Sequence, residues 1–87
     1  MLKIQRVANG EIVLRLSGRI NAGNVAELTT LIGSETNGRP IVLDLKDLTL
    51  VDREAVKFLE RCEADSIKFR NCPAYVREWI LRERNAQ

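Results

Sequence analysis

At 87 residues, with 45% apolar and 30% charged residues, the chain has the composition of one folded domain rather than of a disordered segment. A formal charge of +2, no histidine and only two cysteines, Cys62 and Cys72, argue against a nucleic-acid-binding face and leave too few ligands for a closed zinc site. No apolar run approaches the ~20 residues of a membrane-spanning helix, and the amino terminus, MLKIQRV, lacks the apolar core of a signal peptide. These features predict a cytoplasmic protein with reduced, half-buried cysteines, no metal, no cofactor and no direct membrane insertion.

Leu2 to Val7 and Glu11 to Ser17 flank Asn9-Gly10, the signal of a β-hairpin. A two-residue loop would set Ile4 against Arg15 and Leu2 against Ser17. A three-residue loop at Ala8, Asn9 and Gly10 sets Ile4 against Leu14 and Leu2 against Leu16, which keeps apolar residues together and places Gly10 in the left-handed conformation. Asn21 or Asn24 can then cap a helix bearing Val25, Leu28, Leu31 and Ile32. Gly33 to Pro40, GSETNGRP, is a turn-rich link.

Ile41, Val42, Leu43 and Leu45 form a nearly continuous apolar run, as expected of a central parallel strand, interrupted by Asp44. Leu48 to Arg53 reads as a loop ending on Asp52 at a helix N-cap, with Glu54 in the first turn and Ala55, Phe58, Leu59 and Cys62 at helical spacing. Ile67 and Phe69 alternate with Lys68 and Arg70, the pattern of a half-buried strand. Pro73 suits the first position of a last helix capped by Asn71 or Cys72, with Val76, Trp79 and Ile80 as its stripe and Glu78 to Arg82 as an i,i+4 pair. The chain reads as a single domain over residues 1–82, with 83–87 as a flexible tail. The fold class is α/β, a four-stranded mixed β-sheet with three helices in the order ββαβαβα.

The stretch LDLKDLTLVDREAVKFL resembles the signature of STAS domains, the module of sulfate transporters and anti-sigma-factor antagonists. That signature has an apolar-Asp strand, a short loop ending in Asp, two small hydroxyl residues and Gly, then an amphipathic helix. Asp44, Leu48, Val51, Asp52, Val56 and Leu59 match it, whereas Arg53, Glu54 and Ala55 stand where the hydroxyl pair and Gly belong. LSGRINAGNVAEL is similar to the family's second strand and first helix. The resemblance covers about residues 2–82 and implies a SpoIIaa-like fold, with the family's last strand and helix missing after residue 82.

A strand feeding a helix exposes its loop at the carboxyl end of the sheet, where open α/β folds place their sites. The resemblance implies a non-catalytic protein-binding module with a surface at Asn21, Asn24, Leu48, Thr49, Asp52, Arg53, Glu54 and Lys57. Its partner would be an anti-sigma factor or a related kinase. In that family a Ser or Thr after the motif Asp carries the regulatory phosphate. Arg53 occupies that position here, so no phosphorylation switch is expected, with Thr49 a weak substitute. Arg53 either contacts an acidic partner or is neutralised by Asp52 and Glu54 and points into water. Asp44 and Asp52 are read as a loop-facing polar residue and an N-cap rather than as an acid/base pair. Alternatives are an accessory subunit of a membrane transporter, a small-ligand-binding protein, an RNA contact, and a homodimer formed through an exposed strand edge.

Overall fold

The computed structural model describes residues 2–35 and 40–85. Eight elements follow one another: β1 (Leu2–Asn9), β2 (Glu11–Ile20), α1 (Ala22–Ser34), β3 (Ile41–Asp44), β4 (Leu48–Val51), α2 (Arg53–Ala64), β5 (Lys68–Arg70) and α3 (Ala74–Asn85). The strands form one mixed sheet of five, in the order β1-β2-β3-β5, with β4 also pairing β2. Only β1 runs antiparallel to β2.

The fifth strand is a correction to the four read from sequence. β2 is ten residues long, and its first half pairs β3 while its second half pairs β4. β3 and β4 therefore act as one strand interrupted at 45–47, with the pairing resumed across a bulge between Gly18 and Arg19. Gly18 sits there at φ 92, a left-handed conformation that glycine adopts without a Cβ clash. The Gly18 N–H donates to the Asp47 carbonyl at 3.1 Å and holds the two halves in line.

The hairpin also differs from expectation. Leu2 faces Gly18, Ile4 faces Leu16, and pairing runs to Asn9 opposite Glu11, two residues further than predicted. A shift of two leaves every side chain on its own face, so the apolar pattern alone does not choose between these registers. Gly10, at φ 81, takes the left-handed position expected of it.

The core lies on one side of the sheet. Ile12, Leu14, Leu16, Leu43 and Leu45 join Leu28 of α1, Val56, Phe58 and Leu59 of α2, and Val76 and Ile80 of α3 in one buried cluster. The alternate residues Val13, Arg15, Val42 and Asp44 face the other way, onto a sheet surface with no helix over it among the described residues. α2 carries the densest apolar face, with Ala55, Val56, Phe58, Leu59 and Cys62 buried. It is clamped to α3 by Glu63, whose carboxylate accepts from Arg77 at 2.6 Å and from Arg84. Burial pushes that carboxyl up, but the hydrogen bonds and charges of Arg77 and Arg84 outweigh it and hold Glu63 below its ordinary range.

α3 begins one residue later than predicted, at Ala74, and the Pro73 carbonyl accepts from Val76 and Arg77. It also reaches further than the expected tail boundary. Glu83 and Arg84 lie within it and are ion-paired to Arg53 and Glu63, while residues 86–87 of the predicted tail fall outside the described residues. Half of the predicted link over 33–40 does too, at 36–39, while its first two residues, Gly33 and Ser34, belong to α1.

α2 closes on Ser66 at φ 69, with Ile67 N–H bonded to Cys62 O and Ser66 N–H bonded to Glu63 O. This two-bond closure usually places Gly at the left-handed position. Ser66→Gly is expected to raise stability by about 0.5–1 kcal/mol, the relief of the left-handed strain less the added entropy of the unfolded chain. Urea unfolding at constant slope checks it.

Candidate partner-docking site

The site is assembled by Asp52. Its Oδ1 accepts from the Ala55 N–H at 2.9 Å, the N-cap bond of α2, and its Oδ2 accepts from the Ala22 N–H at 2.9 Å, in the first turn of α1. One carboxylate therefore satisfies orphan donors of two helices and faces the positive ends of both. Its backbone is tied as well, with its N–H donating to the Ile20 carbonyl at 3.2 Å. The start of α1 is completed by Asn21, whose Oδ1 accepts from Gly23 at 2.9 Å, and by Asn24, whose Oδ1 accepts from the Asn21 N–H at 3.1 Å. Both asparagines are thus used in capping, one as the cap and the other closing the box.

Around this pivot the other predicted residues divide. Thr49, exposed, donates its hydroxyl to the Gly18 carbonyl at 2.9 Å. Arg53 is 70% exposed, and its Nε lies 3.5 Å from Glu83. Glu54 and Lys57 form a loose pair at 3.8 Å. Leu48 does not belong to the surface: it is 5% exposed and sits in the core cluster. Its strand mate Leu50 is 53% exposed. Residues 48–51 read inward, outward, outward, inward, so the apolar residue on show is Leu50.

Two features of this site escape a reading of the sequence. The bond from Asp52 to Ala22 spans thirty residues and leaves no local signal. The exposure of Leu50 follows from the interruption after β3, which sets β4 against the far end of β2.

Among the described residues no group of three histidine, cysteine or acidic side chains could hold a metal. Cys62 and Cys72 are free, and burial pushes the Cys62 thiol up to about 12, so it is a neutral thiol at physiological pH. Cys72 is raised as well, again chiefly by burial. Asp52 has both oxygens engaged in capping. No described helix is long and apolar enough to cross a membrane.

With this geometry in view, comparison with known proteins is decisive at the level of family. Residues 3–68 match the STAS domain. The chain belongs to the STAS domain family. Among curated proteins, none matches it in sequence. Solved structures share the fold. A structure described as Mglu superposes with a TM-score of 0.61 at 19% identity, covering 83% of this chain and 19% of that one. This STAS domain thus spans about a fifth of that protein's length.

A protein from Shewanella loihica PV-4, described as having a SpoIIAA-like fold, gives a TM-score of 0.60 at 15% identity, covering 98% of this chain and 77% of that one. The anti-sigma factor antagonist SpoIIAA in its unphosphorylated form gives 0.60 at 19% identity, covering 90% and 79%. The architecture read from sequence, a mixed sheet with three helices of the SpoIIAA type, is therefore the observed one, with β4 added. The family's hydroxyl pair and Gly after the motif Asp are replaced here by Arg53, Glu54 and Ala55, at the amino end of α2.

Proposed function

We propose that this STAS domain is a non-catalytic protein-binding module of the anti-sigma-factor-antagonist kind. It docks through the amino ends of α1 and α2 and the adjoining strand β4. The observation that supports it most is Leu50, an apolar side chain 53% exposed beside two helix starts that a single aspartate holds together. An apolar centre with a polar rim is the usual anatomy of a protein interface. Asn21, Asn24, Thr49, Arg53, Glu54 and Lys57 form the polar surround, and Asp52 lies beneath as the residue that positions them. Leu48 contributes from inside, by seating β4 on the core.

Regulation by phosphate is absent at the family's position, because a guanidinium cannot accept a phosphoryl group in place of a serine or threonine hydroxyl. Arg53 instead adds a fixed positive charge to the first turn of α2, loosely countered by Glu83. An acidic patch on the partner suits it. The partner in this reading is an anti-sigma factor or a related kinase, bound constitutively or controlled elsewhere. Incubation with that kinase and ATP is expected to leave the intact mass unchanged, whereas Arg53→Ser restores a hydroxyl and gains a phosphate. A phosphate on the unaltered chain would overturn the switchless reading.

A further inference from the structure

The uncovered face of the sheet holds a second feature, at the same carboxyl end as the docking surface but on the opposite side from the helices. A cavity of about 320 Å³ opens there, lined by Arg15, Leu16, Asp44, Lys46, Asp47, Arg70 and Asn71. Its floor is Asp44, the one buried charged residue among those described, at 8% exposure. Asp44 Oδ1 accepts from the Lys46 N–H at 3.1 Å and, at a long 3.4 Å, from the Asn71 amide. Oδ2 receives no hydrogen bond among the described residues. Its nearest cation is Arg15, whose Nε stands 3.8 Å away with a side chain 56% exposed. That oxygen is not sealed from water, since no fully buried side-chain oxygen among the described residues lacks a partner, and it is open to a donor entering the cavity.

The walls carry both signs, with Asp47 beside Arg15, Lys46 and Arg70. Arg70 is engaged by Glu11 at 2.9 Å, while the Lys46 ammonium has no ion-pair partner among the described residues. Asn71 lines the cavity from a left-handed backbone at φ 57, a conformation that asparagine adopts readily. Position agrees with these contacts, since parallel strands of open α/β sheets place ligands beyond their carboxyl ends, and β3 and β5 both end here.

We propose that this cavity binds a small zwitterion of the α-amino-acid class. Its ammonium donates to Asp44 Oδ2 and its carboxylate is held by Arg15 and Lys46. Such a ligand enters the open ion pair between Asp44 and Arg15, satisfies both partners and leaves the net charge of the site unchanged. A simple anion leaves Asp44 unserved, and a simple cation leaves Arg15 and Lys46 unserved.

Amide NMR on the intact protein tests this, with each of the twenty standard amino acids titrated in turn and acetate and methylammonium as controls. At least one amino acid is expected to shift the Lys46, Arg70 and Asn71 amides with a Kd of about 1 mM or tighter, and the two controls to bind at least about tenfold more weakly. Arg15→Gln, at an exposed position, is expected to weaken binding about tenfold while the other amide positions stay unmoved. Asp44→Asn, which keeps the shape and the Lys46 acceptor, is expected to abolish the preference for ammonium-bearing ligands. No shift from any amino acid up to about 10 mM, acetate binding as well as the best amino acid, or full affinity in Arg15→Gln would each overturn the proposal.

Discussion

Asp52→Ala is expected to lower the unfolding free energy by about 2–4 kcal/mol, well beyond the ~1 kcal/mol usual for one helix cap. The excess arises because the substitution orphans two donors at once, the Ala55 N–H of α2 and the Ala22 N–H of α1, and removes the charge that faces both helix ends. Asp52→Asn retains one acceptor oxygen and is expected to lose about half as much. Urea unfolding of the three proteins gives the comparison directly. A loss near 1 kcal/mol for Asp52→Ala would mean that the bond to Ala22 carries little, and that the two helix starts are held together by packing.

Leu14→Ala is expected to cost about 3–5 kcal/mol, because Leu14 is fully buried on the central strand β2 and its deletion leaves a void beneath the helices. A domain of this size has roughly 4–13 kcal/mol in total, so the variant stands near the limit of folding at 25 °C. The neighbouring residue supplies the contrast. Val13 is 7% exposed but faces the uncovered side of the sheet, where it lines a shallow cavity with Glu11, Arg15 and Arg70 rather than packing under a helix. Val13→Ala is expected to cost about 1–2 kcal/mol. Equal losses at the two positions would contradict a core built on one face.

Much of this architecture is legible in the residues, and what is not legible fails for identifiable reasons. Asp52 with Glu54 behind it marks the start of α2, and the apolar spacing from Ala55 to Cys62 marks its buried face, because capping and periodicity are local properties. The order of elements follows from the same signals. The hairpin register does not, since pairing Ile4 with Leu14 or with Leu16 gives the same pattern of faces.

β4 escapes a sequence reading because four residues are too few to show a period and because its partner, the far end of β2, is distant in the chain. That omission is what misplaces Leu48 on the surface and hides Leu50. Asp44 is legible as a polar break in an apolar strand. Its loose pairing in a cavity with Arg15, Lys46 and Asn71 depends on residues from three separate segments.

The most direct test of the docking surface is affinity capture from the native host with quantitative mass spectrometry. It compares the unaltered protein with Leu50→Asp and with Val7→Asp, a control at the hairpin end of the sheet, opposite Val13 and away from the end of β2 that pairs β4. Val7 is 37% exposed, so both changes add charge at accessible apolar positions, and circular dichroism verifies that each variant is folded. The account predicts that a protein enriched by the unaltered chain and by Val7→Asp is lost with Leu50→Asp. Retention of that protein by folded Leu50→Asp, or its loss with Val7→Asp alone, would contradict a partner surface at the amino ends of α1 and α2.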